Sequence, residues 1–530
     1  MFKPNIITDS VATGSSTTDA PSACHRWLVK LGWLLPVLTV LAVYWVAFNN
    51  YFCFDDFIWL NRGRSFKQDW LQIFRPDVTY FDPLVYLMFA ADSLIGGLDH
   101  RWYHGVDLTI HAINALLLYR FARLLTGDEK AALYGGILFA GSFAIADAVL
   151  WSSSRVDLLS TLCSLGALIQ FLHYLRSDKK RDLFLSFLMF ILALGAKGTP
   201  LVLPGILLWL IVQERKPLRH ALCLIPFGVV ILIYFGLLKL NMHQASLPLD
   251  RFHFNLKNLV VSFCALFIPE ATLKYQELYL VFSLLFLAVT AAGLLAIPRT
   301  ATVPLRRTGY CILVMALLPV LVVTDFKLLG EYSNPYLLLL SPSHRIYLAS
   351  VGAALLGGGF LAFLETLLAK VVPRYAVVAV VIVLAVVVTA NAYLVRERDR
   401  IWEPVGDSCR TAFEALLPYR HKVPEGSQLG LIYFPGSRGF LTPLAQVALG
   451  INDVSLIKTV ILGMIQDQAV LQKAEKTFLF VLRSDGHLYD KTQMFRQQLL
   501  LNRMALRHPD RPEYASECIA LGEKINREIE

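Results

Sequence analysis

The sequence predicts an α-helical polytopic membrane protein of about eleven transmembrane helices, with a C-terminal extracytoplasmic α/β domain. The first reason is composition: 56% of the 530 residues are hydrophobic and only 17% are charged, which is not the balance of a soluble protein. The second is that apolar runs of spanning length recur up to residue 395. After residue 395 these runs give way to short strand-like runs bounded by Gly, Pro or Asp.

The N-terminal part of the chain predicts a tail and an anchor. Residues 1–30 are largely polar, so we expect a disordered cytoplasmic tail. The run 31–48 is long enough to span and has no small-residue cleavage site after it, which predicts an uncleaved signal anchor. The further predicted spans are 106–125, 131–150, 157–175, 183–196, 199–212, 221–238, 279–297, 310–323, 346–368 and 376–395.

Basic residues between the apolar runs predict the orientation. With the N-terminus in the cytoplasm, every loop on that side carries Lys or Arg, whereas the short outside turns carry little beyond Arg155 and Lys197. This is the positive-inside pattern. It also accounts for much of the net charge of +9 and argues against a nucleic-acid partner. The segments expected outside are the first loop at 49–103, the loops at 239–278 and 324–345, and the region 396–530.

The region 396–530 has a normal size for a soluble domain. Runs at 427–434 and 477–482 predict buried strands, and 408–417 and 465–474 predict helices, which together indicate a small α/β fold. Its two cysteines, Cys409 and Cys518, form either a disulfide on an oxidising side or two free buried thiols. The sequence contains no CxxC and no HExxH, so no metal motif is evident.

Asp55 and Asp56 lie just beyond the outer end of the first predicted span. Two adjacent carboxylates near low-dielectric lipid raise the energy of each other's charge, so a pair kept at this position indicates chemistry. A carboxylate can accept the proton of an attacking hydroxyl, which makes the pair the candidate catalytic base. The pair could also bind a divalent metal, but no recognisable ligand set accompanies it in the sequence.

Polar residues gather at the outer ends of the predicted spans, where they would suit a lipid-bound phosphate. Arg holds phosphate oxygens in a fork and Lys acts as a point charge, so Arg345, Lys197 and Arg155 are the candidate donor-phosphate ligands. Such cations would stabilise the charge that develops on a phosphate leaving group. Weaker substrate-binding candidates are His104, Asp82, His344 and Tyr347.

These polar residues also have purely structural interpretations. The cations could extend to lipid headgroups, and Arg155 with Asp157 could be a local ion pair or a helix cap. His111 and Asn114 lie about one turn apart and could be an interhelical hydrogen-bonding pair. Asp82, which precedes a proline, could mark only a turn or a helix start.

Four segments, in order along the chain, resemble motifs of one family. They are the second span from Arg101-Trp-Tyr-His104 to His111-Ala-Ile-Asn114, the turn Trp151-Ser-Ser-Ser-Arg155-Val-Asp157, the turn Ala196-Lys197-Gly-Thr-Pro200 and the segment Ser343-His-Arg345-Ile-Tyr347. Together with the acidic pair after the first span, they resemble the GT-C superfamily of integral-membrane glycosyltransferases, in its protein O-mannosyltransferase-like branch with bacterial relatives. The likeness of the acidic pair and the first three motifs covers about the first 200 residues, and the fourth lies further along.

The resemblance implies a GT-C-like fold, with a transmembrane glycosyltransferase domain at 31–395 in the inner (cytoplasmic) membrane. It implies a polyprenyl-phosphate-linked sugar donor and inverting, single-displacement transfer of a hexosyl or pentosyl group. It also implies that Asp55 or Asp56 is the base, with Asp55 favoured because the catalytic residue usually leads the pair. The chain departs from the family at Asp82, where Arg is common, and at Gly198, where an acid is usual.

The acceptor stays open between a lipid-linked glycan, an envelope polysaccharide and a protein. One alternative function is a transporter or flippase of lipid-linked sugars, which would also need interfacial cations and many spans. Against it, charged residues are sparse in the middle of the predicted spans. Another alternative is a scaffold whose outer domain binds an envelope partner, which would leave the acidic pair and the cations without a shared purpose.

Overall fold

The computed structural model describes residues 32–74, 81–242, 256–267, 303–319, 343–435, 438–457 and 467–529. The predicted tail, the predicted span at 279–297 and most of the outer loops at 239–278 and 324–345 lie outside these residues. The helices are α1 Leu34–Tyr44, α2 Asp56–Ser65, α3 Pro83–Ile95, α4 His100–Thr126, α5 Glu129–Ala140, α6 Ala146–Leu150, α7 Arg155–Ser177, α8 Lys180–Leu194, α9 Leu203–Gln213, α10 Ile225–Met242, α11 Leu256–Ala265, α12 Val303–Leu317, α13 Tyr347–Val371, α14 Ala376–Leu416, α15 Arg438–Leu449, α16 Gln468–Gln472, α17 Thr492–Arg507 and α18 Pro512–Ile529.

Within the described residues, five helices are long and apolar enough to cross a membrane, or six if α5 and the segment 143–150 count as one bent span. These correspond to the predicted spans at 106–125, 131–150, 157–175, 221–238, 346–368 and 376–395. The predicted spans at 31–48, 183–196, 199–212 and 310–323 overlap shorter helical segments within the described residues. The chain therefore has a helical membrane architecture. The described residues contain fewer helices of spanning length than the sequence contains apolar runs.

Local sequence explains where the helices begin and end. The Asp99 carboxylate caps α4 by accepting a hydrogen bond from the Arg101 backbone N–H, and α4 ends at Gly127 in the left-handed region at φ 71°. The next helix starts at once, because Asp128 accepts hydrogen bonds from the backbone N–H groups of Lys130 and Ala131. This short connection makes α4 and α5 antiparallel neighbours.

Small residues allow three of the helices to approach closely. A Cβ added to Gly352 of α13 would collide with the carbonyl oxygen of Gly309 on α12. One to two turns further along, a Cβ on Gly358 would lie 2.5 Å from the Ala131 carbonyl oxygen of α5. Close backbone contact through small residues is a common way for helices to associate in lipid, where apolar burial drives no association.

Helix α14 is continuous for 41 residues. The expected boundary between residues 395 and 396 falls inside it, because the charged stretch after Val395 ends the apolar run without breaking the helix. The predicted helix at 408–417 is consequently the last part of α14, and the helix ends where Pro418 follows Leu417 in a 3-10 turn. Cys409 on α14 and Cys518 on α18 are both buried and free, so they do not form the disulfide considered above.

Beyond α14, a four-stranded sheet has the order β2-β1-β3-β4, with strands Ser427–Ile432, Val454–Leu456, Thr477–Leu482 and Leu488–Asp490 numbered in chain order. The first three strands are parallel and β4 is antiparallel to β3. Thus the two predicted strands are present. The predicted helix at 465–474 is reduced to the short α16, and part of that range lies outside the described residues. We call the described residues between 420 and 529 the C-terminal unit.

Candidate active site

The acidic pair sits in a tight turn at the start of α2. Phe54 has a positive φ of 48°, and the Asp55 carbonyl oxygen accepts the N–H groups of Ile58 at 2.9 Å and Trp59 at 3.1 Å. The two carboxyl groups of this turn differ in their burial. Asp56 is 1% exposed, whereas Asp55 is only partly buried.

The Asp56 carboxylate is fixed by three donors. One oxygen accepts the Cys53 backbone N–H at 2.9 Å, and the other accepts the Ser153 backbone N–H at 2.7 Å and its hydroxyl at 2.5 Å. Burial raises the pKa of Asp56 to about 7, and the bonds from Ser153 and Cys53 oppose that shift. Asp56 therefore fixes the start of α2 to the turn that precedes α7.

The Asp55 carboxylate has no hydrogen-bond donor among the residues that the structure describes. Burial raises its pKa to about 6, and the positive charge of Arg62 opposes the rise. A partly exposed carboxylate with a pKa near neutrality is suited to accept a proton.

A divalent metal at the pair is poorly matched by this donor set. Both Asp56 oxygens already accept hydrogen bonds from neutral donors, so Asp55 alone of the pair would offer an uncommitted carboxylate. No group of three or more His, Cys, Asp or Glu side chains that could hold a metal occurs within the described ranges. We therefore assign no step to a metal at this position.

The residues Trp151 to Asp157, here called the 151–157 turn, are the centre of the site. Ser153 of this turn holds Asp56, and the Ser152 hydroxyl lies 3.5 Å from Nδ1 of the buried His104. The turn joins α6 to α7, and through Asp56 and His104 it also contacts the start of α2 and α4. The acidic pair and the cations are neighbours through this turn.

Arg155 has a different surrounding from the one expected for a phosphate ligand. Its guanidinium is fully buried and forms ion pairs with Asp92 of α3 and with Asp107 of α4, the latter at 2.6 Å. It also donates to the Tyr103 carbonyl oxygen at 3.1 Å. The local ion pair with Asp157 is not formed either. The N–H groups of Arg155 are thus directed to Asp92, Asp107 and the Tyr103 carbonyl oxygen. Through these bonds Arg155 joins α3 and α4 to the 151–157 turn.

Lys197 is paired with Asp157. Its ammonium lies 2.6 Å from both carboxylate oxygens, and its side chain is 23% exposed, compared with 4% for Asp157. The start of α3 lies against this turn, since the Leu84 backbone N–H donates to the Gly195 carbonyl oxygen at 2.9 Å. Asp82, with Pro83 in the first turn of α3, thus marks a helix start beside Lys197.

His344 and Arg345 approach the same turn from the start of α13. The His344 ring meets Trp151 edge-on at 5.7 Å between ring centroids. Burial lowers the pKa of His344 well below its ordinary value, and the positive charges of Arg345, Lys197 and Arg398 lower it further. All three cations are therefore close enough to act on the charge of His344, and two of them are ion-paired, Lys197 with Asp157 and Arg398 with Asp147.

Sequence reasoning missed Asp147, Arg398 and Trp402. Arg398 donates to Asp147 at 2.6 and 2.5 Å, and the Trp402 indole donates to the same carboxylate at 2.8 Å. Trp402 also stacks on Trp151 at 5.6 Å. The available signal was Asp147 itself, because a carboxylate inside an apolar run requires a partner.

Tyr347 is fully buried between helices. Its hydroxyl lies 2.6 Å from Nδ1 of His111 and accepts the Asn114 amide at 3.2 Å. The interpretation of His111 and Asn114 as an interhelical pair is confirmed, with Tyr347 as their common partner. These contacts give Tyr347 a role in joining α4 to α13 below the site.

Comparisons with known proteins agree with this architecture. A family model for dolichyl-phosphate-mannose-protein mannosyltransferases matches residues 85–238. Protein O-mannosyl-transferase Tmtc1 of Drosophila melanogaster is 31% identical over 117 residues, which is 22% of this chain and 14% of that protein. Protein O-mannosyl-transferase TMTC2 of Mus musculus is 31% identical over 147 residues, 23% of this chain and 17% of that protein.

Among solved structures, ArnT from Cupriavidus metallidurans in the apo state superposes with a TM-score of 0.51 at 13% identity, covering 88% of this chain and 94% of ArnT. At this identity the superposition shows the fold. The match at residues 85–238 includes the 151–157 turn and Lys197. In this matched segment the chain is therefore similar to dolichyl-phosphate-mannose-protein mannosyltransferases, and its fold is similar to that of the membrane protein ArnT.

Proposed function

We propose that this chain transfers a sugar from a polyprenyl-phosphate-linked donor to an extracytoplasmic acceptor. The hydroxyl oxygen of the acceptor attacks the anomeric carbon and its proton passes to Asp55. The bond from that carbon to the phosphate oxygen breaks on the opposite face, so the configuration inverts and polyprenyl phosphate leaves. The observation that carries the proposal is a partly exposed carboxylate, with a pKa of about 6, on the same turn-centred site as a group of cations.

Asp55 is the proposed base and Asp56 its anchor. Asp56 already accepts three hydrogen bonds, which leaves its carboxylate little capacity to take a substrate proton. Asp55 has the exposure and the raised pKa that a base requires. The two residues are adjacent for a physical reason, because the fixed Asp56 carboxylate keeps Asp55 at one position.

Lys197 and Arg345 are the proposed ligands of the donor phosphate, with His344 and Arg398 adjacent. Lys197 uses two of its three N–H groups on Asp157, which leaves a third for a phosphate oxygen. Its 23% exposure gives a ligand access to that group. Pairing with Asp157 fixes the ammonium before the donor arrives, which reduces the cost of ordering it.

We infer the topology that this function needs from the basic loops. Eleven spans with the N-terminus in the cytoplasm put Asp55, Lys197 and Arg345 outside, together with the C-terminal unit. In the described residues, five helices, or six with the bent pair, are long and apolar enough to span, and four more predicted spans overlap shorter helical segments. The acceptor on that side is a lipid-linked glycan, an envelope polysaccharide or a protein.

The test uses the full chain purified in detergent and a panel of polyprenyl-phosphate monosaccharides, with acceptor-containing envelope extract present. Release of free polyprenyl phosphate is measured for the wild type, Asp55→Asn and Asp56→Asn. The control is Asp510→Asn, which makes the same chemical change at an exposed turn between α17 and α18. We expect release by the wild type and the control, and its loss in Asp55→Asn with donor binding retained.

Transport gives a different result in the same assay. A flippase would move a labelled lipid-linked sugar across proteoliposomes without releasing polyprenyl phosphate, and Asp55→Asn would leave that movement in place. If no donor in the panel is turned over in the presence of envelope extract, the proposed transfer is wrong.

A further inference from the structure

We propose that helix α15 of the C-terminal unit positions Asp55, with Phe440 as the positioning residue. This inference rests on the proposed role of Asp55 as the base. It assigns to the C-terminal unit a part in the transfer step itself, beyond any binding of acceptor. Phe440 touches Phe54, the neighbour of Asp55, and its effect on the reaction passes through that residue.

The backbone of Phe54 is in an unfavourable conformation. A φ of 48° places a bulky residue in the left-handed region, where its Cβ crowds the backbone. Such a conformation persists only where the surroundings hold it. The Phe54 ring is 3% exposed and packs on the Phe440 ring, with 5.3 Å between the centroids and 55° between the planes. The Phe440 ring therefore helps to hold the turn that presents Asp55.

The C-terminal end of α15 is hydrogen-bonded to α2, the helix that starts directly after Asp55. The Asn61 amide donates to the Gln446 side-chain oxygen at 2.9 Å. The Arg64 guanidinium donates to the backbone oxygens of Val447 at 3.0 Å and Gln446 at 3.2 Å. The two backbone acceptors lie in the last turn of α15, where the macrodipole favours a cation.

Helix α14 encloses the loop from the other side. A Cβ on Gly406 would lie 3.0 Å from the Tyr51 backbone nitrogen, so helix and loop are in direct backbone contact there. One to two turns on, Phe413 stacks on Phe57 at 5.9 Å. Residues 51–57 are consequently held between α14 and α15, and Asp55 is the member of that segment that carries the chemistry.

This arrangement makes the rate sensitive to Phe440. A base has to lie within hydrogen-bond reach of the hydroxyl it deprotonates, and a displacement of about 1 Å can cost about 100-fold in rate. Loss of the Phe440 ring removes the support of Phe54 and opens Asp55 to water. The lipid phosphate is bound by other residues, so the affinity for the donor has no reason to change.

The experiment compares the wild type with Phe440→Ala, Phe440→Leu and Asp55→Asn in the polyprenyl-phosphate release assay. The control is Tyr489→Ala, which removes a ring from the edge strand β4 of the same unit. We expect kcat to fall about 10- to 100-fold in Phe440→Ala, with KM for the donor within about twofold, and to recover in large part in Phe440→Leu. The acidic limb of the pH–rate profile should move to lower pH in Phe440→Ala, because a better-hydrated Asp55 has a lower pKa.

A loss of folded protein would lower the rate at every pH and leave the limb in place, so the two causes can be distinguished. If Phe440→Ala keeps the wild-type kcat and pH limb while Asp55→Asn is inactive, the positioning role is overturned and the proposed function stands. If Asp55→Asn is active, the proposed function itself fails.

A second variant covers the case in which Phe440→Ala does not fold. Arg64→Gln removes the fastening at the other end of α15 and leaves both aromatic rings in place. It should lower kcat in the same direction with the donor KM retained. A wild-type kcat in Arg64→Gln would overturn the role of α15.

Discussion

The ammonium of Lys197 lies 2.6 Å from both carboxylate oxygens of Asp157, and the pair joins the turn before α9 to the start of α7. Asp157 is nearly buried, so it needs this cation, whereas Lys197 keeps part of its surface open. The pair therefore stabilises the fold, and its effect on the proposed donor can be measured separately from that.

Replacing Lys197 by Met separates these effects. We expect a loss of about 2 kcal/mol in unfolding free energy, because a buried carboxylate is left without its partner. The double variant Lys197→Met, Asp157→Leu should regain most of that stability and still fail to bind the donor. Thermal unfolding in detergent and binding of a fluorescent polyprenyl-phosphate sugar provide the two measurements. Donor affinity restored together with stability would exclude Lys197 as a phosphate ligand.

The pH dependence should report Asp55. A base has to be deprotonated, and burial raises the pKa of Asp55 from 3.8 to about 6, so kcat/KM should fall about tenfold per pH unit below pH 6. For an ordinary Asp the fall would begin two units lower. The measurement is a pH–rate profile of polyprenyl phosphate release between pH 4.5 and about 8. A flat profile through pH 5 would contradict the assignment.

Asp55→Asn should stabilise the protein while it abolishes activity. A folded-state pKa above the unfolded value means that the folded state favours the protonated form, so this group's contribution is present below pH 4 and lost as the pH rises through about 6. At pH 8 the neutral amide avoids that cost, and the unfolding midpoint should rise. At pH 4 the difference between wild type and variant should vanish. Activity should drop at least about 100-fold.

Asp56→Asn should behave in the opposite way. An amide cannot accept hydrogen bonds on both of its heavy atoms, so at least one of the Ser153 and Cys53 donors loses its acceptor. We expect a loss of about 1–3 kcal/mol in stability and a fall in kcat, since the loop that carries Asp55 is released. Ser153→Ala is the matched partner variant and should reproduce part of both effects. An Asp56→Asn protein that is as stable as wild type would remove the anchoring role.

Arg155→Met tests the correction made for that residue. Removing a guanidinium that is buried between Asp92 and Asp107 should cost about 3–5 kcal/mol, because two carboxylates lose their partner. Protein that does fold should bind the donor with wild-type affinity. The two readouts are thermal unfolding and donor binding, with Lys197→Met as the variant of opposite expectation. A selective loss of donor affinity at unchanged stability would return Arg155 to the phosphate site.

The sequence was sufficient for the helical membrane class of the fold, and it predicts the region of the proposed site. Apolar runs, basic loops and the Asp55–Asp56 pair are local signals, and each is visible within about twenty residues. The different surroundings of the two carboxylates were not visible, because they depend on Ser153, which is 97 positions away from Asp56. The partners of Arg155 were not visible for the same reason, since they lie on α3 and α4, far from Arg155 along the chain. The 151–157 turn was predicted, but its internal ion pair was not the one that forms.

The C-terminal boundary was unpredictable for a different reason. Hydropathy falls after Val395, and a fall in hydropathy is a normal sign of a domain boundary. Helix propensity does not fall with it, because the polar residues that follow are good helix formers. Hydropathy and helix propensity are separate properties, and only the structure shows that the helix continues.

The unbroken α14 links the thickness of the bilayer to the geometry of the site. A helix of 41 residues is about 60 Å long, which is roughly twice the hydrocarbon core of a membrane. A helix in a thinner bilayer tilts to hide its apolar half, and because α14 continues through Pro404 without ending, its outer half would follow that tilt. The outer half touches Tyr51 and Phe57 on the loop of Asp55. The length of the lipid chains would then change the position of Asp55 through the tilt of α14, with no ligand involved.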